Sequence, residues 1–183
     1  MSADTVPPGC DAVAAALARL DARPRVVLSA QVTAGRPADG VYRFALHRDG
    51  ATERWVLDGH ALRTAPAEGR ASDALRLAPE GGCERDPADA ADARPGTVVL
   101  RYDAWAERGH SRVTLRVDAA SGLPRDGLRD GPELAWGRAL SRPTKPPQAA
   151  LRPTGARLLE RLAFDYPPPP PPPRGGSDTG DSR

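Results

Sequence analysis

Between Ser111 and Asp118 the chain reads SRVTLRVD, with Val113, Leu115 and Val117 alternating with Arg112, Thr114 and Arg116. A strand points successive side chains to opposite faces, whereas a helix would scatter these residues around its axis. The stretch is therefore a strand with one apolar and one cationic face. It runs into AASGLPRDG, where Ser121 and Gly122 favour a turn and Pro124 lacks the N–H that a central ladder needs. A single strand is not stable alone, so the rest of the chain must supply partners that share its apolar side.

Those partners are visible as the same period of two, punctuated by turn residues. Val26, Leu28, Ala30 and Val32 share one face of Arg25–Val32. Val41–His47 carries Tyr42, Phe44 and Leu46 on one side, and ERWVL carries Trp55 and Leu57. Asp58-Gly59 is a two-residue hairpin signal, and HALRT returns as a fourth strand. Alternation resumes at Thr97–Trp105, although adjacent Val99 and Leu100 leave its buried face ambiguous. A short strand is read around Trp136, and ARLLERLAFDY suits either a helix or, from its alternating Leu162, Phe164 and Tyr166, a final strand. Ahead of all this, Asp11–Ala22 is an amphipathic helix with Val13, Leu17 and Leu20 on one face, Asp11 as its cap and Pro24 as its stop. Residues 66–95 read as a long surface loop holding Cys83, with one or two helical turns at SDALRLA. Pro143, Pro146, Pro147 and Pro153 make an extended excursion of Arg142–Gly155.

The predicted fold is mainly β: a curved antiparallel sheet or incomplete β-barrel of roughly seven to nine strands, with one N-terminal helix and one or two short helical segments. Residues 1–9 are read as a flexible start, 10–166 as a single domain and 167–183 as a proline-rich tail. Seven consecutive prolines make a polyproline II rod, and the polar residues after them are too hydrophilic to pack. The tail reads as a stiff solvated spacer, or as a docking ligand for an SH3-like partner.

Composition narrows the function. The core must be built of Val, Leu and Ala, because 39% of residues are hydrophobic but only 4% aromatic. Lys145 is the only lysine, a pattern that matches the coding bias of a GC-rich genome. The net charge is +2 and acids are scattered among the arginines, so no basic patch suited to nucleic acid forms. No run reaches the ~18 apolar residues of a membrane span. The start, MSADTVPPGCD, lacks the charged and apolar regions of a signal peptide, which predicts either a cytoplasmic chain or a leader missing from it. Cys10 and Cys83 are open to three readings: unrelated thiols, a redox pair or a structural disulfide. Both lie beside Gly-rich polar sequence rather than in apolar runs, which favours the disulfide and an oxidising compartment.

The motifs of hydrolases, nucleotide-binding loops and zinc proteases are missing. His47, His60 and His110 sit near strand ends or turns; His47 and His60 would meet only across a hairpin. Ser121 has no base designated for it, and no pair of carboxylates is singled out. No catalytic residue, metal site or cofactor is therefore predicted.

Gly82-Cys83, then VVLRYDAW at 98–105, then HSRVTLRVDAASGLPRDG at 110–127 resembles a pattern in LolA-like bacterial periplasmic proteins, the relatives of outer-membrane lipoprotein carriers. TLRVDAASGLPR matches their strand and Gly-Leu-Pro turn, LAFDY their closing strand, and the N-terminal helix followed by RPRVVLSAQVTAG their opening. The resemblance spans residues 10–166 in order and implies a curved, incomplete β-barrel closed by helices, in the periplasm. It also implies a non-catalytic role: holding a lipid or lipoprotein acyl chain, or engaging a cell-envelope partner. The candidate binding face is Val26, Leu28, Tyr42, Phe44, Leu46, Trp55, Leu57, Val113, Leu115 and Val117. The competing reading is a structural or interaction module with a docking tail; a hydrolase built on the Ser121 corner is a third.

Overall fold

The alternating stretches become nine antiparallel strands. They were located in a computed structural model, which describes residues 6–34, 41–85, 94–106, 109–132 and 158–172. Helix α1 (Asp11–Asp21) is followed by β1 (Arg25–Ala34), β2 (Val41–Asp49), β3 (Thr52–Leu57) and β4 (His60–Pro66). A 3-10 turn (Ala71–Leu75) precedes β5 (Cys83–Arg85), β6 (Thr97–Ala106), β7 (Gly109–Asp118), β8 (Pro124–Gly131) and β9 (Leu158–Asp165).

The strands form one curved sheet in the order β4-β3-β2-β1-β9-β8-β7-β6-β5, not closed into a barrel. Two four-stranded meanders therefore flank a central β9. The first runs outward from the centre and the second runs inward from the opposite edge. The chain between β4 and β5 must cross the sheet, a width of about 38 Å at 4.8 Å per strand. It does so over the apolar face, since Ala71, Ala74 and Leu75 belong to the same buried core as the strand residues.

Helix α1 lies on that face as well, burying Val13, Ala16, Leu17 and Leu20. Asp11 is not its cap: Cys10 holds that position without a side-chain cap bond, and Asp11 opens the first turn, where its charge suits the helix dipole. Pro24 follows the helix as read from the sequence. Asp58 (φ 48°) and Gly59 (φ 82°) make the expected tight hairpin, both in the left-handed region that such a turn requires.

Several expectations change. Cys83 lies in a short edge strand, β5, rather than in a loop. Val99 and Leu100 are both buried. Pro124 does not end the sheet but opens β8, because the first residue of a strand can forgo its N–H. The strand expected around Trp136, and the excursion of Arg142–Gly155, fall outside the described residues. ARLLERLAFDY resolves as a strand.

Candidate functional site

The register places the predicted face residues in rows that cross the sheet. Trp55, Leu46, Leu28 and Phe164 oppose one another along β3, β2, β1 and β9. The next row is Leu57, Phe44, Ala30, Leu162, Gly127, Leu115 and Leu100. A third runs Val32, Glu160, Arg129, Val113, Tyr102 and Cys83. Val26, Leu28, Phe44, Leu46, Trp55, Leu57, Val113, Leu115 and Val117 all join one buried core. Tyr42 lies in β2, but its side chain is outside the described residues.

Four core residues outside the predicted binding face connect its two halves. Leu158, Leu162 and Phe164 come from β9, and Tyr102 from β6. The alternation of Leu158, Glu160, Leu162 and Phe164 carried the signal, obscured by a glutamate in the apolar phase. That glutamate is not exposed at all: its Oε2 accepts a 2.7 Å hydrogen bond from Arg129 Nη1, with side-chain exposures of 0% and 2%. The pair sits at the middle of the sheet, one residue on each of two directly opposed positions. Tyr102 is fully buried and donates its hydroxyl to the Leu75 carbonyl at 2.9 Å. Burial pushes its phenol well above the ordinary tyrosine range, a shift that the Arg129 charge opposes, so it stays a neutral donor.

The cover over this face is stapled at both ends. Cys10, just before α1, is disulfide-bonded to Cys83 with a Cα separation of 5.2 Å. At the other end of the helix, Asp21 accepts hydrogen bonds from Ser72 N (2.9 Å) and Ser72 Oγ (2.6 Å). Helix α1 and the crossing segment thus run side by side as one unit. The segment's far part is fastened to β6 by the Ala78 N–H to the Asp103 carbonyl and the Trp105 N–H to the Arg76 carbonyl.

The Gly-Leu-Pro corner is tied into this assembly. Ser121 Oγ donates to Asp118 Oδ2 at 2.7 Å and accepts from the Leu123 N–H, and its carbonyl is held by Arg19 of α1. The hydrogen bonds from the Ser121 hydroxyl and N–H, helped by Arg125, hold the Asp118 carboxyl below the usual carboxylate range. A carboxylate held that way is a poor base for activating the hydroxyl it binds. An open cleft of about 380 Å³ beside the corner is lined by Asp118, Ser121, Arg125, Phe164 and Tyr166 among others.

The histidines do not converge. His47 faces Arg54 across β2–β3, whereas His60 starts β4 opposite Leu57 and His110 opposes Trp105. Among the described residues no group of three or more His, Cys, Asp or Glu side chains is arranged to hold a metal.

On the opposite face the arginines of β7 are paired. Arg112 binds Asp103 at 3.1 Å and Glu84 at 2.9 Å, and Arg116 binds Asp126. The outward side of β5–β8 thus carries a row of cross-strand ion pairs. No helix among the described residues is long and apolar enough to cross a membrane. No protein-family model matches the chain, and no curated protein matches it.

Proposed function

We propose that the protein is a non-catalytic carrier that holds a hydrophobic ligand, a lipid or an acyl chain, between the apolar face of the sheet and the α1 cover, in the periplasm. The observation that carries this reading is a broad, mainly apolar face, crossed by the buried Arg129–Glu160 pair, on a nine-stranded sheet that is not closed into a barrel. A closed barrel can widen only by breaking ladder hydrogen bonds; a curved open sheet can part from its cover and keep every one of them. The face is shielded as it stands, with Trp55 and Leu28 at 3% and 1% exposure, so loading entails opening. The resemblance of residues 10–166 to LolA-like proteins supports the same role, and the Cys10–Cys83 bond supports an oxidising compartment.

Protein purified without detergent is extracted with organic solvent, and the extract and the intact protein are analysed by mass spectrometry. Co-purifying lipid in stoichiometric amount, displaced by added fatty acid, is the expected result. An empty protein that also takes up neither fatty acid nor a hydrophobic dye would remove the basis for this function.

A further inference from the structure

Strand β9 leads directly into the proline run, and the root of that run is clamped. Tyr166 donates its hydroxyl to the Pro124 carbonyl, and the Arg23 guanidinium stands 5.4 Å above its ring. Arg25 Nη1 donates to the Pro168 carbonyl, and its Nη2 pairs with Asp49 at 3.1 Å. Beyond that point Pro169–Pro172 are exposed. Ring closure fixes φ in each proline, so the run rises as a polyproline II rod at about 3.1 Å per residue. The prolines have no N–H groups to satisfy, and the described ones past the clamp, Pro169–Pro172, are open to another molecule.

A spacer needs reach, not a fixed root. Clamping the first prolines to the central strand instead gives the rod one direction relative to the sheet. It also removes the ordering cost that a flexible peptide meets on binding. The first residue past the clamp begins a Pro169-x-x-Pro172-x-Arg174 pattern. With three residues per turn, Pro169 and Pro172 share an edge, and a single terminal cation breaks the near-symmetry of the rod.

We propose that Pro169–Arg174 is a docking ligand for a protein partner that carries an aromatic-lined groove of the kind that reads polyproline II, with a carboxylate beside the groove to receive Arg174. The rings supply apolar contact and the carbonyls accept hydrogen bonds from the groove's aromatic side chains. The cleft lined by Asp118, Arg125 and Tyr166 adjoins the root of the rod, where the rim of a bound partner would rest.

The test titrates the full chain by calorimetry against three purified groove domains: an SH3 domain with an acidic specificity pocket, a WW domain and an EVH1 domain. Saturable one-to-one binding to at least one of them is expected. It should weaken by about tenfold or more in the P169A/P172A variant and in R174E, with melting temperature unchanged because neither variant touches the core. Absence of binding to all three domains overturns the proposal, as does binding that either variant leaves intact.

Discussion

Gly122 shows how much a single position of the corner has to satisfy. Its φ is +71°, and a Cβ built there would stand 2.7 Å from Arg19 Cδ and 2.8 Å from Arg19 Nε. Both the turn and the close approach of helix α1 exclude a side chain. Gly122→Ala is expected to cost about 1–2 kcal/mol from the left-handed backbone alone, and more unless Arg19 moves. Urea denaturation measures it; a variant as stable as the parent would mean that the corner is not held this way. The Gly-Leu-Pro motif is thus legible in the sequence as turn chemistry, but its grip on the helix is not, because Arg19 is about a hundred residues away in the chain. His47 carries the clearest pH signature. Burial, aided by the Arg54 charge, holds its imidazole below the ordinary value of 6.5. The unfolded chain then binds more protons in the window from the folded value up to 6.5, so stability is complete above that window and falls as the pH drops through it. His47→Gln should flatten the melting temperature against pH across this window relative to the parent, and identical pH profiles would contradict the assignment.

At the scale of elements, the central strand pair carries an ion pair where apolar packing would serve. Burying two charges is costly, and well-packed hydrophobic replacements are often neutral or better. What the Arg129–Glu160 pair supplies is register: β9 enters between β1 and β8 after a long excursion, and a slip of one residue would move its whole apolar set to the outer face. Glu160→Gln should therefore destabilise by roughly 3–5 kcal/mol, because it removes the buried negative charge to which Arg129 Nη1 donates. The double variant R129M/E160M should recover most of that stability, yet show more than one set of amide resonances for β9 in NMR spectra. A single sharp set would assign the pair no register role. The same strands mark the limit of what the sequence shows. In β1, β2, β3 and β7 the apolar phase is local and reads directly. In β8, PRDGLRDG has little strand propensity and is held by ladders on both sides, so only its neighbours define it. Arg129 and Glu160 look like surface residues until the register sets them opposite each other.

For the whole molecule, the nine-strand order could not be read from consecutive strands alone, because β9 pairs not only with its neighbour β8 but also with β1, the first strand of the chain, while β4 and β5 lie at opposite edges. The cover depends on a similarly distant tie. The Cys10–Cys83 bond joins residues 73 apart and fastens α1 to the far edge of the sheet. By loop-closure entropy it is worth about 4 kcal/mol, so C10S/C83S should unfold at distinctly lower urea concentration, and an unchanged midpoint would show that the staple adds nothing.

The binding role turns on whether a ligand reaches the apolar face. Trp55 sits on that face, and Trp105 and Trp136 are the only other tryptophans. In a W105F/W136F variant, emission therefore reports on Trp55 alone. Titration with a bromine-labelled fatty acid, which quenches tryptophan on contact, is predicted to quench Trp55 saturably, with unlabelled fatty acid reversing the effect. Unquenched Trp55 emission at saturating fatty acid, in protein whose folding is intact by circular dichroism, would contradict it.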